Sequence, residues 1–409
     1  MKDLRINAER LQQRLTDMAA IGQTELGGVC RLALSDEDKA GRLLFTQWAE
    51  AAGCTVRFDE VGNLFALKPG KNNGLPAVLI GSHLDSQPTG GKYDGVLGVL
   101  SALEVVESLN DHDVLTERPI EIVSWTNEEG ARFAPAMAGS GVYAGVFPLD
   151  YINDLTDSAG KRFEDELKRI GYQGPQLPKE SYHASFELHI EQGPILEAEA
   201  LQVGVVTGVQ GMRWYRLAIK GKEAHAGSTP MNLRQDPIQT MAKLLDELFG
   251  MAAATSPELK VTVGKMQAYP GSINTIPGSL QFTIDVRHPE EATLEKLDTF
   301  LKSLCQEHSE SGTPVSMEEI SYSAPIRFHE RCINAVQQAC DQLGIDSKRM
   351  LSGAGHDSVF ISQIAPAGMI FIPCKDGLSH NELESAKIED IEAGTNVLLH
   401  AVLQSMKDD

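Results

Sequence analysis

Two acidic residues in succession, Glu128 and Glu129, follow the apolar-rich run 120–127. Of such a pair, one carboxylate can bind a metal ion while its neighbour moves protons, the division of labour of metal-assisted hydrolysis. His83, Asp85 and Asp94 come shortly after an earlier apolar run, 77–81, and His189 and His380 come after two more. Alone, each is weak evidence. Core histidines and acidic helix caps account for any one of them, but not for four candidate ligand groups recurring at four loop or strand-end positions. Imidazole and carboxylate without thiolate suit Zn²⁺, Mn²⁺, Co²⁺ or Ni²⁺. Two such ions ~3.5–4 Å apart can share one carboxylate and one water, bringing that water's pKa to about 7.

The elements that must position these residues alternate in type. A helix is expected over 43–52, and short strands over 56–58 and 64–67 flank the Val61-Gly-Asn turn. A buried strand follows at 77–81, then a helix over 96–109. Its apolar residues Val96, Val99, Leu100, Leu103 and Val106 repeat at three and four positions. The next strand is 120–125. Strand–helix–strand at this spacing predicts a parallel or mixed sheet covered by helices, with ligands gathering beyond the carboxyl ends of its strands. After Gly208 the pattern becomes strand–helix–strand–strand–helix–strand, the split ferredoxin-like arrangement. The expected fold is therefore an α/β mixed sheet flanked by helices, formed by residues 1–208 and 326–409, with an α+β domain, 209–325, inserted into it.

Composition narrows the class. The chain has 409 residues, past the ~250–300 at which one core usually splits into domains. Its formal net charge is −21 with no offsetting basic cluster, so nucleic acid is not an expected partner. No apolar run approaches the ~20 residues of a membrane span. The N-terminal residues show no apolar core with a small-residue cleavage site, so a cytoplasmic protein is expected. The six cysteines are scattered without C-x-x-C, which argues against a thiolate zinc site. The nucleophile elbow G-x-S-x-G is absent, and so is a G-x-x-x-x-G-K-[ST] phosphate loop. Ser358 in Gly355-His-Asp-Ser imitates part of a triad without independent support.

Several blocks, taken together, carry a resemblance. Gly81-Ser-His-Leu-Asp, Gly91-Lys-Tyr-Asp-Gly, Asn127-Glu-Glu-Gly-Ala-Arg-Phe, Glu187-Leu-His-Ile-Glu-Gln-Gly and Ala224-His-Ala-Gly-Ser-Thr-Pro are five of them. Asn274-Thr-Ile-Pro-Gly, Asp285-Val-Arg-His, Ser352-Gly-Ala-Gly-His-Asp-Ser and Gly377-Leu-Ser-His-Asn continue the series. Across nearly its whole length the chain resembles the amidase/hydantoinase/carbamoylase branch of the two-metal aminoacylase–carboxypeptidase clan. That branch includes N-carbamoyl-L-amino acid hydrolases, the fungal type of β-ureidopropionase and allantoate amidohydrolase.

The resemblance implies that His83 and His189 hold one divalent ion, Glu129 and His380 the other, and that Asp94 bridges them. It makes Glu128 the general base and acid, and Asp85 the residue that fixes His83 through its other ring nitrogen. In the inserted domain it implies that His225 steadies the oxyanion and that Arg287 grips a substrate carboxylate. Asn274 and Gln192 would orient polar groups of a small ureido substrate. Arg287 shares the polar face of its strand with Thr283 and Asp285, opposite Phe282, Ile284 and Val286. The smaller domain would also act as lid and homodimer contact. The implied reaction is hydrolysis of an N-carbamoyl amino acid, α or β, to amino acid, CO₂ and ammonia. Allantoate or an N-acyl amino acid is the alternative substrate, and a non-enzymatic ligand-binding relative is a remote one.

Overall fold

The structure, a computed structural model, describes residues 3–177, 180–310 and 313–407. It divides into two compact units, Met1–Gly208 with Arg327–Asp409, and Val209–Ile326. The chain first forms β1 (Thr55–Phe58), β2 (Leu64–Lys68), β3 (Val78–His83), β4 (Ile120–Trp125), β5 (Ala184–Ile190) and β6 (Val203–Val209). Then come β7 (Gly211–Lys220), β8 (Ala224–His225), β9 (Lys260–Tyr269), β10 (Thr275–Ile276), β11 (Ser279–His288) and β12 (Val315–Ser323). The chain returns through β13 (Ile326–Arg327), β14 (Ser347–Ser352) and β15 (Ala367–Ile372).

Among the described residues, one nine-stranded sheet runs in the order β1-β2-β4-β3-β5-β15-β6-β13, with β14 beside β6. The central strands β4, β3, β5 and β15 are parallel, whereas β1–β2, β2–β4 and β15–β6 are antiparallel. The sheet is mixed, as expected. Every residue of β3, β4 and β5 is buried. Successive side chains point to opposite faces, so both faces of the central sheet are covered. Each fully buried aliphatic side chain there, such as Ile80 or Ile122, contributes roughly 1.5–3 kcal/mol. Helix Val96–Asp111 lies on β3 and helix Ile388–Ser405 on β5 and β15, which is why both are apolar around most of their circumference.

Two boundaries differ from the sequence pattern for physical reasons. The helix expected at Leu43 begins at Asp36, where Ser35 caps the Asp38 amide and three acidic residues occupy the positive end of the helix. His83 and His189, expected just beyond their strands, lie within β3 and β5. The hydrogen-bonded ladder pairs His83 with Trp125 and continues past the last aliphatic residue. Hydrophobicity marks the core of a strand, and the ladder sets its end.

In the second unit β7, β9, β11 and β12 form an antiparallel sheet in the order β12-β7-β11-β9. Helix Pro237–Thr255 follows β7 and helix Glu291–Glu310 follows β11, which gives the ferredoxin-like arrangement. The first of these helices is fixed by Asp236 at its N-cap and Pro237 in its first turn. Tyr215, Leu217, Phe282, Ile284, Leu244 and Leu297 join sheet and helices in one core.

Candidate active site

Because β4, β3, β5 and β15 are parallel neighbours, their carboxyl ends open on one edge of the sheet. His83 ends β3, Glu128 and Glu129 leave β4, His189 lies near the end of β5, and His380 follows β15. Asp94 returns to this edge just before helix Val96–Asp111. Gly95 permits the return: its φ is +68°, and a Cβ there would sit 2.3 Å from the His83 ring.

The donor atoms of His83, Asp94 and His189 lie within 4.8 Å of one another, as do those of Asp94, Glu129 and His380. Asp94 belongs to both groups. Its Oδ1 is 3.1 Å from His189 Nε2 and 3.6 Å from His83 Nε2, while its Oδ2 is 3.5 Å from His380 Nε2. His380 Nε2 is also 3.3 Å from Glu129 Oε2. One carboxylate offering an oxygen to each of two ligand groups has the form of a bridge between two cations. The buried imidazoles are set up for the same task. Nδ1 of His83 lies 2.9 Å from the Asp85 carbonyl oxygen, and Nδ1 of His189 lies 2.9 Å from that of Ile190. A carbonyl only accepts, so each Nδ1 carries a hydrogen and each Nε2 is the ring atom left to face the site.

A third group, Glu187, His189 and His356, is equally close. Its donor atoms are already engaged, however. Glu187 accepts from Ser82 Oγ at 2.7 Å and from Ser358 Oγ at 2.6 Å, and His356 Nε2 is 3.0 Å from Ser352 Oγ. Ser358 is thus a buried donor to a carboxylate rather than a nucleophile beside a base.

The electrostatics of the edge call for positive charge. Burial opposes an imidazolium at His83, yet Glu128, Asp94 and Asp85 together lift its pKa well above the ordinary value. Burial, then Asp94 and Asp85, pushes Glu129 up to about 8. Burial, then Asp357 and Glu129, carries Glu128 well above the ordinary carboxylate range. Protons or cations must relieve this crowding. The ordinary glutamate value is 4.5, so Glu129 in the fold holds its proton more tightly than in the unfolded chain. The associated stability is complete below pH 4.5 and is lost as pH rises through about 8. In calorimetric scans, the gap between the melting temperatures of metal-loaded and metal-stripped protein is therefore expected to widen across that window. A constant gap would contradict the crowding.

Asp85 departs from its expected role. Its carboxylate Oδ1 is 3.8 Å from His83 Nδ1, beyond hydrogen-bond reach, and the backbone carbonyl fixes the ring instead. The irregular segment 84–87 that follows His83 presents that carbonyl first. The freed carboxylate accepts the backbone amides of Glu128 at 3.2 Å and Glu129 at 3.3 Å. Gln192 Nε2 donates to Asp94 Oδ2 at 2.9 Å and to Ser379 Oγ at 3.0 Å, while its Oε1 is buried with no hydrogen-bond partner. Asn127, Gln192 and His380 all have left-handed backbones, with φ of +56°, +56° and +53°. Such strain costs of order 1–3 kcal/mol per residue and gathers at functional sites.

Sequence reasoning gave no role to three further residues at this edge. Gln87 Nε2 donates to Glu129 Oε2 at 2.7 Å, and Ser379 Oγ donates to Asp94 Oδ2 at 2.7 Å. Glu384 accepts the amides of Tyr93 and Asp94. Each stands within a few positions of a ligand in a polar loop, but no spacing rule marks it.

His225, Asn274 and Arg287 belong to the second unit. His225 pairs with Thr275 across β8 and β10, and the Ala226 amide donates to the Asn274 carbonyl at 2.9 Å, so His225 and Asn274 are neighbours. His225 Nδ1 accepts the amides of Gly227 at 3.0 Å and Ser228 at 3.2 Å. In the neutral ring the hydrogen is therefore on Nε2, which is available as a donor. Arg287 lies on the less buried face of β11, while Phe282, Ile284 and Val286 are buried. Its guanidinium meets the Asp285 carboxylate through Nε at 3.1 Å and Nη2 at 2.9 Å.

Residues 79–404 match the model of peptidase family M20/M25/M40. The chain belongs to this family. An N-carbamoyl-L-amino-acid amidohydrolase of Rhizobium meliloti is 45% identical over 403 residues, covering 98% of this chain and 97% of that protein. The crystal structure of an amidase of the hydantoinase/carbamoylase family from Burkholderia multivorans superposes with a TM-score of 0.95 at 49% identity, covering 98% of each chain. A more distant relative, the allantoate amidohydrolase of Escherichia coli (strain K12), is 32% identical over 399 residues, 95% of this chain and 96% of that protein. The expected branch and fold are borne out, and with them the enzyme class, a hydrolase of amides. Among the described residues, no helix is long and apolar enough to cross a membrane.

Proposed function

We propose that this M20-family enzyme hydrolyses N-carbamoyl amino acids to the free amino acid, CO₂ and ammonia. Two divalent cations, Zn²⁺ or Mn²⁺ in the first instance, would be held by His83, Asp94 and His189 and by Asp94, Glu129 and His380. The observation that carries the reading is the two-sided placement of Asp94 between these ligand groups. When bound, such ions polarise a carbonyl and acidify a water molecule.

The chain's own residues supply the rest. Glu128 is buried, with Oε2 3.5 Å from His83 Nε2, and its high proton affinity suits a group that takes a proton from the attacking water and returns it to the leaving nitrogen. The partnerless Gln192 Oε1 is an acceptor seeking an N–H. The amide N–H of any N-acyl amino acid would serve it too, but only a carbamoyl group adds an NH₂ at the acyl end, which is the ground for preferring the ureido reading. His225, with a donor at Nε2, would steady the oxyanion. Arg287, oriented by Asp285, would anchor the substrate carboxylate, with Asn274 aligning its polar groups. A homodimer contact through the inserted unit belongs to the same reading.

Allantoate is also a ureido compound and would satisfy Gln192 equally well. Assays with Mn²⁺ on N-carbamoyl-L-methionine, N-carbamoyl-β-alanine, allantoate and N-acetyl-L-methionine separate the candidates. The highest kcat/KM is expected on an N-carbamoyl amino acid. Faster turnover of allantoate would reassign the substrate, and equal turnover of the acetyl compound would remove the Gln192 argument.

A further inference from the structure

We infer that Glu384 is a positioning residue that locks the loop carrying Asp94 to the loop carrying His380, and so sets the outer cation site formed with Glu129. The inference rests on the two-cation reading and adds to it a residue that touches neither ion. Glu384 is only 4% exposed, and its Oε1 accepts the backbone amides of Tyr93 at 2.8 Å and Asp94 at 3.1 Å. Its Oε2 is 3.3 Å from Ser379 Oγ, and that hydroxyl is 2.7 Å from Asp94 Oδ2. One serine hydroxyl therefore stands between two carboxylates on loops far apart in sequence, its single hydrogen going to the nearer, Asp94. Gly91 closes over the join: a Cβ at that position would lie 2.0 Å from the Glu384 carboxyl carbon. Glu384 is tied into its own loop by its amide to the Asn381 carbonyl, and the Lys375 amide to the Ser385 carbonyl closes the loop base.

The two ligand groups need this device unequally. His83 and His189 are buried within strands, where the sheet ladder fixes them. His380 sits on a loop with its side chain 51% exposed and a left-handed backbone. Ser379 and Glu384, both on that loop, join it to the Asp94 turn through the Asp94 carboxylate and the Tyr93 and Asp94 amides. Loss of a partner behind a metal ligand typically weakens metal binding by 10–100-fold.

The test is Mn²⁺ titration of the chelator-dialysed full chain, with free ion read by electron paramagnetic resonance and folding followed by circular dichroism. Wild type should take up two equivalents. E384A should keep the first and hold the second about 10–100-fold more weakly. E384Q should recover most of the loss, because its amide oxygen still accepts both backbone amides. S379A, which removes only the bridging hydroxyl, should also weaken the second equivalent selectively. E384A binding both equivalents as wild type does, or E384Q failing to recover, would overturn the lock. If E384A does not fold, S379A decides, since an unchanged second equivalent there would overturn it. Wild type that holds fewer than two equivalents would instead overturn the two-cation reading, and the lock with it.

Discussion

Glu128→Gln is expected to lower kcat by at least ~10²-fold while leaving two cations bound, since a positioned general base typically contributes 10²–10⁴-fold. The replacement is nearly isosteric and keeps the backbone bonds at position 128, the amide to Asp85 and the carbonyl from Met137. What it removes is an oxygen that can hold a proton 3.5 Å from His83 Nε2. Glu128 is also the largest source of the rise in the His83 pKa, so its neutralisation makes that imidazole easier to deprotonate. Metal binding at the inner group should therefore not weaken. Elemental analysis beside steady-state kinetics checks both halves. Undiminished turnover would remove Glu128 from proton transfer, and loss of an ion would move it among the ligands.

Asp94→Ala should abolish both sites together. Among the described residues, Asp94 alone belongs to both ligand groups, and its two oxygens point to different partners. Without it, the histidines of the inner pair and the Glu129–His380 pair each lose the ligand they share. Lewis-acid stabilisation is worth several kcal/mol, so kcat/KM should fall by at least ~10³-fold, with metal content well below one ion per chain. The variant should still fold, because Asp94 is a principal cause, after burial, of the raised Glu129 pKa, and its removal relieves like-charge crowding. Elemental analysis and circular dichroism decide the matter. A variant that keeps two ions would place the bridge elsewhere.

The architecture was largely readable because each central strand is a short apolar run and each covering helix keeps the helical period. The strand ends were not, since the ladder beyond Ile80 runs on through Ser82 and His83, which no hydrophobic pattern reports. The candidate ligands were legible as a group for a related reason: in a parallel sheet, chemistry collects where apolar runs stop, and each candidate stands near such a stop. Its supports were hidden. The Glu384 carboxyl meets the Asp94 amide across 290 positions, and a single sequence carries no trace of so distant a pairing. The backbone carbonyl of Asp85 outcompetes its own carboxylate for His83, and only the course of the chain beyond β3 decides that contest.

The same aspartate has a wider consequence. By taking up the amides of Glu128 and Glu129 in one carboxylate, it ties the proposed proton carrier and the proposed cation ligand to one anchor. Energies assigned to the three side chains one at a time will not add, because each replacement disturbs what the others rely on.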